Sequence, residues 1–295
     1  MVVKKTLGEK VFDIFNVLLM IFVIIITLYP MYYVFVCSIS DGLNLVGTRG
    51  VILWPQGLSI DAYKAVIKNP SIFSGYRTTL FVVVVGTFFS ILLTSIGAYV
   101  ITRKKFPLAK PMAYLMVFTM YFSGGMIPTY LVVNNLYHMG NSLTALIFPN
   151  IISVYNLLIM KSNFQSLPAG LEEAATIDGA NDFRILFQIV LPLSKSIIAV
   201  MVLYYGVAYW NSWFEAMMYI RDRNKYPLQL ILREVLLANS AASNMNDGAL
   251  AGDQYAIEQS IKYATVMVST LPILCLYPFI QKHFTRGIMI GAIKG

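Results

Sequence analysis

Six apolar stretches alternate with polar segments along the chain, and each is about the length that a helix needs to cross a bilayer. We predict membrane spans at about residues 15–37, 78–102, 111–136, 142–160, 196–220 and 262–280. The first stretch is too long for the apolar core of a cleaved signal peptide, and no small-residue cleavage site follows it. The pattern predicts an all-α membrane protein with one transmembrane domain over residues 1–295.

The third predicted span is interrupted by Ser123-Gly124-Gly125 and by Pro128. Such breaks are tolerated in a membrane where neighbouring helices or a cavity satisfy the freed backbone groups. The fourth and fifth spans carry polar and aromatic residues, which at membrane depth should face other helices or a water-filled path. The candidates for a substrate path are Tyr121, Asn156, Tyr204, Tyr205, Tyr209, Asn211 and Glu215.

Two interpretations of the aromatic fifth span stay open. An aromatic belt at the outer interface, together with helix packing, explains Trp213 and Tyr219 well but explains the deeper Tyr204 and Tyr205 poorly. Direct sugar contact is the alternative, because sugar C–H faces stack on rings while hydroxyls bond to amides and carboxylates. The belt and packing are favoured.

The segment between the fourth and fifth spans, residues 161–195, predicts two short helices joined by a tight turn. Ser166 before Pro168 is a helix-start signal, and the first helix should run over Ala169–Ile177. A turn is predicted at residues 178–181, because Gly179 and Asn181 tolerate the backbone angles of a turn. Asn181 or Asp182 should cap the second helix. Its apolar stripe falls at Phe183, Leu186, Phe187 and Val190.

Two further polar segments lie between spans, and we expect both on the outer face. Residues 38–77 should contain a short amphipathic helix over Ser59–Lys68, with Ser59 as its cap. In the other, residues 220–261, we predict a helix over Tyr226–Ala238 and a mobile stretch over Asn239–Gly252. A short basic tail over residues 281–295 ends the chain.

Composition excludes several classes of protein. The chain is 58% hydrophobic and 12% charged, against about 25% charged in a typical soluble domain. The net charge of +8 reflects basic residues that set membrane topology, and no nucleic-acid-binding motif accompanies it. These basic residues cluster before the first span, after the second and in the tail, which predicts that both termini and residues 161–195 are cytoplasmic.

The sequence offers no chemistry of its own. Two Cys and two His are too few and too far apart for a metal site. There is no phosphate-binding loop for ATP and no nucleophile motif, so we expect neither a cofactor nor an enzymatic activity in this chain.

A spaced motif lies in residues 161–195. It reads E-A-A, three residues, G, nine residues, I-x-L-P, and its fixed positions are Glu173, Ala174, Ala175, Gly179, Ile189, Leu191 and Pro192. Seven such positions coincide by chance in on the order of one window in 10^8. The motif, with Asp178 and Ala180 in its turn, resembles the EAA loop of permease subunits in bacterial ABC importers.

This resemblance implies the six-helix, MetI-like ABC importer permease fold, with the EAA loop as a cytoplasmic hairpin that couples to an ATPase. It also implies a second homologous permease subunit, an ATPase dimer that holds ATP and Mg²⁺, and an extracytoplasmic sugar-binding protein. The chain would lie in the lipid bilayer of a bacterial plasma membrane, with both termini in the cytoplasm and no nucleic-acid partner.

Three weaker features resemble sugar permeases of the maltose-transporter type, in the group that imports oligosaccharides and polysaccharide fragments. They are Trp210-Asn211-Ser212-Trp213, Tyr226-Pro227-Leu228-Gln229 and the Gly-rich ending Arg286–Gly295. The EAA motif alone is shared with permeases for amino acids, peptides and metals. A membrane enzyme or a scaffold that works without an ATPase remains the alternative from another class.

Overall fold

A computed structural model describes residues 6–48, 50–103, 106–245, 258–275 and 278. Helices and short turns make up nearly all of this part of the chain, with one isolated β-bridge between Ser40 and Leu58. The all-α prediction is confirmed. The tail over residues 281–295 lies outside the described residues.

The helices in the first third of the chain are α1 (Leu7–Ser38), α2 (Gly42–Gly47), α3 (Asp61–Lys68) and α4 (Pro70–Thr102). In the middle follow α5 (Ala109–Tyr121), α6 (Met126–Leu131) with a π turn (Val132–Leu136), α7 (Thr144–Ile147) with a 3₁₀ turn (Phe148–Asn150), and α8 (Val154–Gln165). The next are α9 (Ala169–Ile177), α10 (Asp182–Ile185) with a π turn (Leu186–Val190), and α11 (Leu191–Leu193). The last are α12 (Lys195–Trp210), α13 (Phe214–Tyr219), a 3₁₀ turn (Arg223–Lys225), α14 (Leu228–Met245) and α15 (residues 258–275).

Two described helices, α1 and α4, are long and apolar enough by themselves to cross a membrane. Three pairs of helices meet the same standard only when each pair is taken together, and each is bent at a short break. The bends are 113° between Tyr121 and Met126, 53° between Asn150 and Val154, and 86° between Leu193 and Lys195. Length and composition thus allow up to five spans in the described part of the chain.

Contacts divide the chain into two compact units, of which the first comprises residues 1–69 and 234–270. Its helix α1 begins at a capping box, in which Thr6 and Glu9 exchange side-chain and backbone hydrogen bonds. Most apolar side chains of α1 are exposed, and none of its most apolar stretch is buried. The end of α1 packs in a small core with Leu45 and Ile52. Helix α1 therefore has an apolar surface suited to lipid or to another membrane protein.

The second unit comprises residues 70–233 and 271–295, and α4 is its central helix. Helices α12 and α8 pack along α4 around a buried core that includes Val82, Leu157, Met160 and Met201. Small residues let these helices approach closely, as expected for packing in lipid. Gly86 of α4 lies directly under the ring of Tyr209.

Several local predictions need correction. Ser166 does not cap α9, because its hydroxyl donates to the carbonyl of Asn163 at 2.7 Å and ends α8 instead. Ser59 precedes α3 by two residues and Ile60 takes the cap position. Helix α14 continues to Met245, so residues 239–245 are helical where we expected a mobile stretch. Residues 246–257 lie outside the described part.

The fourth and fifth predicted spans are not continuous helices. The fourth breaks at residues 151–153, just after Pro149, and the fifth breaks at residues 211–213. Hydropathy did not indicate either break, because the residues on both sides are apolar. The break in the third span occurs where the glycines predict it, with Gly125 at a φ of 90°.

Candidate transport site and EAA hairpin

A cavity of about 990 Å³ lies in the second unit, between the two broken segments. Aromatic rings and small polar groups line it together, which is the character of a site that binds a polar ligand with apolar faces. The polar and aromatic lining residues are Asn150, Ser153, Tyr155, Asn156, Tyr204, Tyr205, Tyr209, Asn211, Ser212, Trp213, Phe214 and Glu215.

Two buried tyrosines hold the break in the fourth segment in place. The hydroxyl of Tyr205 accepts a hydrogen bond from the backbone N–H of Ser153 at 3.0 Å. The hydroxyl of Tyr209 donates toward the carbonyl of Ile147 at 3.3 Å. Because a helical break leaves backbone groups without helical partners, these hydroxyls replace the lost bonds and make the break stable in an apolar environment.

The same tyrosines connect the cavity to α4. The Tyr205 hydroxyl lies 2.7 Å from Oγ1 of Thr94, and the Tyr209 hydroxyl lies 2.9 Å from Oγ of Ser90. Both tyrosines are almost fully buried, as are Thr94 and Ser90. Their rings line the cavity while their hydroxyls bond to α4, so the position of α4 fixes one wall of the cavity.

Glu215 lies where the large cavity meets a smaller one of about 270 Å³. Asn150, Phe214 and Glu215 line both cavities. The amide of Asn150 donates to Oε1 of Glu215 at 3.2 Å, which fixes the direction of that carboxylate. The second carboxylate oxygen is available to accept further hydrogen bonds.

The structure brings six of the seven predicted path residues together. Asn156, Tyr204, Tyr205, Tyr209, Asn211 and Glu215 all line the cavity. Tyr121 does not, because it is the last residue of α5 and its side chain is 76% exposed. Asn150 and Ser153 also line the cavity. They were not among the seven path candidates, although their polarity at membrane depth predicts that they face other helices or a water-filled path.

Residues 169–193 form a helical hairpin, which we call the EAA hairpin. Helix α9 has the predicted bounds, and Gly179 forms the turn with a φ of 79°. The side chain of Asn181 caps α10 by accepting a hydrogen bond from the N–H of Arg184 at 2.8 Å. The π turn over Leu186–Val190 precedes Pro192, which cannot donate a backbone hydrogen bond.

The motif residues divide into an exposed group and an inner group. Glu173, Ala174, Asp178, Gly179 and Pro192 are exposed, while Ala175 is buried and Ala180, Ile189 and Leu191 are partly buried. The predicted apolar stripe is only half correct: Leu186 and Val190 are buried, but Phe183 and Phe187 are exposed. The hairpin therefore presents a surface of small, acidic and aromatic residues.

A polar cluster that the sequence did not indicate fastens the EAA hairpin to α4. Arg103, the residue after α4, makes a bidentate ion pair with Glu172 of α9. Its Nη2 lies 2.8 Å from Oε1, and its Nη1 bonds to Oε2. Its guanidinium lies 4.0 Å from the centre of the Tyr99 ring. The Tyr99 hydroxyl donates to Asp182 of α10 at 3.2 Å. Burial opposes the charge of Arg103, but the hydrogen bonds to Glu172, together with the electrostatic interactions with Tyr99, Glu172 and Asp182, outweigh burial and raise the pKa of Arg103.

No protein-family model matches the chain. It is 39% identical to the polygalacturonan/rhamnogalacturonan transport system permease protein YtcP of Bacillus subtilis strain 168, over 97% of this chain and 99% of YtcP. It is 40% identical to protein LplC of the same strain, over 99% and 97% of the two chains.

The fold is similar to a chain in the crystal structure of a bacterial ABC transporter involved in the import of the acidic polysaccharide alginate. The TM-score is 0.84, at 28% sequence identity, over 95% of this chain and 99% of the other. The EAA motif, the helical fold and these relatives all indicate the same protein family. The chain therefore belongs to the permease subunits of carbohydrate ABC importers, which are not themselves enzymes.

Proposed function

We propose that this chain forms half of the translocation path of an ATP-driven importer for oligosaccharides or polysaccharide fragments. The observation that carries the proposal is that one compact unit contains both the aromatic and amide-lined cavity and the EAA hairpin. YtcP is named as the permease of a polygalacturonan/rhamnogalacturonan transport system, and the structural relative is involved in the import of alginate. Both names support a saccharide of several units as the cargo.

The cavity is the proposed sugar path. Sugar rings have apolar C–H faces that stack on aromatic side chains, and Tyr155 and Tyr204 form such a surface with ring centres 6.5 Å apart. Sugar hydroxyls need acceptors and donors in fixed positions, and Asn211, Asn156 and Glu215 supply them. A second, homologous permease would complete the path, and an extracytoplasmic binding protein would deliver the sugar.

The EAA hairpin is the proposed contact with the ATPase dimer. Its exposed small residues permit close approach of another protein backbone, while Glu173 and Asp178 give that contact charge. ATP and Mg²⁺ bind in the ATPase. Because a ligand shifts a conformational equilibrium only by its difference in affinity for the two states, ATP acts by favouring the closed ATPase and, with it, one orientation of the hairpin.

Purification and uptake test this function together. The chain, tagged at its N-terminus, is purified gently from its native membranes, and the proteins that accompany it are identified by mass spectrometry. We expect an ATPase with a phosphate-binding loop and a second permease. The complex in proteoliposomes should then take up labelled oligosaccharides, oligogalacturonides included, only with ATP. A chain that purifies alone across several detergents would contradict the proposal.

The sugar path has its own test at Glu215. Glu215→Gln keeps the shape of the side chain but removes a charged acceptor, whose hydrogen bonds are worth about 1.5–3 kcal/mol each. We expect the KM for uptake of the transported oligosaccharide to rise about tenfold or more. Glu9→Gln makes the same chemical change at an exposed position of α1 and should leave KM unchanged. An equal KM in both variants would place the sugar path elsewhere.

A further inference from the structure

Helix α4 contacts both functional parts of the second unit. Near its end, Tyr99 and the adjoining Arg103 bond to the two helices of the EAA hairpin, through Asp182 of α10 and Glu172 of α9. Further back along α4, Thr94 and Ser90 bond to the cavity tyrosines. At a rise of 1.5 Å per residue, Arg103 and Ser90 are about 20 Å apart along the helix. One rigid element thus joins the hairpin to the cavity wall.

We propose that α4 transmits the movement of the EAA hairpin to the cavity, and that Arg103 is the positioning residue that holds the hairpin to α4. This inference rests on the proposed function. We call Tyr99 and Arg103, with their partners Asp182 and Glu172, the clamp. The clamp bonds to both helices of the hairpin, so the hairpin cannot pivot without moving the end of α4. The cavity tyrosines follow, because Tyr205 and Tyr209 are bonded to α4 and to the broken fourth segment at the same time.

The geometry of the clamp distinguishes it from an ordinary surface ion pair. Exposed pairs contribute little because water and salt screen them. The side chains of Arg103 and Glu172 are only 25% and 22% exposed, and the ion pair is bidentate. The Tyr99 ring, 4% exposed, supports the guanidinium from one side. By contrast, Lys64 and Asp61 on α3 form a single-contact pair with side chains 59% and 80% exposed.

The experiment uses the whole importer in proteoliposomes and measures ATP hydrolysis and sugar uptake in the same sample. Arg103→Met and Glu172→Gln each break the ion pair. We expect the sugar taken up per ATP hydrolysed to fall about tenfold, within the usual range of coupling between sites. The ATPase should remain bound and active. Asp61→Asn breaks the exposed pair and should leave uptake per ATP unchanged.

A charge exchange separates coupling from folding. The double variant Arg103→Glu with Glu172→Arg restores an ion pair in the reverse order, so it should recover part of the lost uptake per ATP. Tyr99→Phe removes only the hydroxyl that bonds to Asp182, and it should lower uptake per ATP while the ion pair remains.

Two results would overturn the inference. Uptake per ATP that equals the unmodified importer in Arg103→Met and Glu172→Gln would show that the clamp does not transmit movement. Loss of ATPase binding in all variants, with no recovery on charge exchange, would assign the cluster to folding or docking alone. A failure of the proposed function is distinguishable, because the unmodified importer would then show no ATP-dependent uptake.

Discussion

Two glycines of the EAA hairpin differ in what they contribute. Gly179 has a φ of 79°, which disfavours any side chain, while Gly170 lies within α9; a Cβ at either position would meet open space. We predict that Gly179→Ala lowers the free energy of unfolding by roughly 1–2 kcal/mol. Gly170→Ala should raise it by about 0.5–1 kcal/mol, because alanine favours a helix.

Thermal unfolding of the purified complex and ATP-dependent uptake measure this difference. Since the strain at Gly179 reorients the turn, uptake should also fall in Gly179→Ala but not in Gly170→Ala. Gly179→Asn should be intermediate, because asparagine tolerates positive φ better than alanine. Equal stability and uptake in the two alanine variants would show that the turn conformation is unimportant for coupling.

Tyr205 tests whether the fifth segment's tyrosines serve packing or sugar contact. Its hydroxyl bonds to Thr94 and to the N–H of Ser153, both in buried surroundings. We predict that Tyr205→Phe lowers the free energy of unfolding by about 1–3 kcal/mol, because the Ser153 N–H loses its partner. Tyr204 is only partly buried, and its hydroxyl bonds to no described residue.

Tyr204→Phe is therefore the matched control for Tyr205→Phe. We expect little change in unfolding temperature for Tyr204→Phe, but a higher KM for uptake if its hydroxyl meets the sugar. If Tyr205→Phe unfolds at the same temperature as the unmodified complex, the hydroxyl does not support the break as the geometry indicates.

At the scale of single residues, turns and helix caps could be predicted from the sequence, whereas hydrogen bonds between residues far apart in the chain could not. The turn at Gly179 and the cap at Asn181 follow from residues within four positions of each other. The partners of Tyr205 are 111 and 52 residues away in the chain, at Thr94 and Ser153. Arg103 belongs to the basic cluster after the second predicted span, but its partner Glu172 is 69 residues away and no local pattern indicates the pair.

At the scale of helices, the close contact between α4 and α12 depends on Gly86 of α4. A Cβ on Gly86 would lie 2.8 Å from two ring atoms of Tyr209, closer than atoms can pack. We predict that Gly86→Ala costs about 1–3 kcal/mol of stability, the usual range for overpacking. Tyr209 would also move away from Ser90, so uptake should decrease.

Gly206 on α12 is the control for this contact. A Cβ there would lie 3.8 Å from Oγ1 of Thr87, an ordinary contact, so Gly206→Ala should be neutral or slightly stabilising. Unfolding temperatures of the two variants in detergent compare them directly. A Gly86→Ala complex as stable as Gly206→Ala would mean that α4 and α12 shift apart freely.

Hydropathy predicted where most helices lie but not where two of them break. The two adjacent glycines, Gly124 and Gly125, indicate the break in the third segment. In the fourth and fifth segments, the residues on both sides of the break are apolar. The break in the fourth segment is stabilised by Tyr205 and Tyr209, which reach it from α12. A break that depends on tertiary partners cannot be read from a local pattern.

For the whole molecule, the fold and the relatives establish a carbohydrate importer permease, and its orientation in the membrane remains a prediction. The distribution of Lys and Arg predicts that the EAA hairpin lies in the cytoplasm. The short turn over residues 137–141, between the predicted third and fourth spans, would then lie on the outer face. The hairpin can meet an ATPase only in the first of these two compartments. Orientation therefore decides whether the proposed coupling is physically possible.

Single cysteines in the second unit can measure this orientation. Ile177 in the hairpin is 86% exposed and Tyr137 in the turn is 52% exposed, so both positions are open to a reagent. In a chain with Cys37→Ala and Cys275→Ser, a maleimide that cannot cross membranes should label Tyr137→Cys from outside intact cells. Ile177→Cys should react only after the membrane is opened. Labelling of Ile177→Cys in intact cells would put the hairpin outside, where no ATP-driven movement could reach α4 through Arg103.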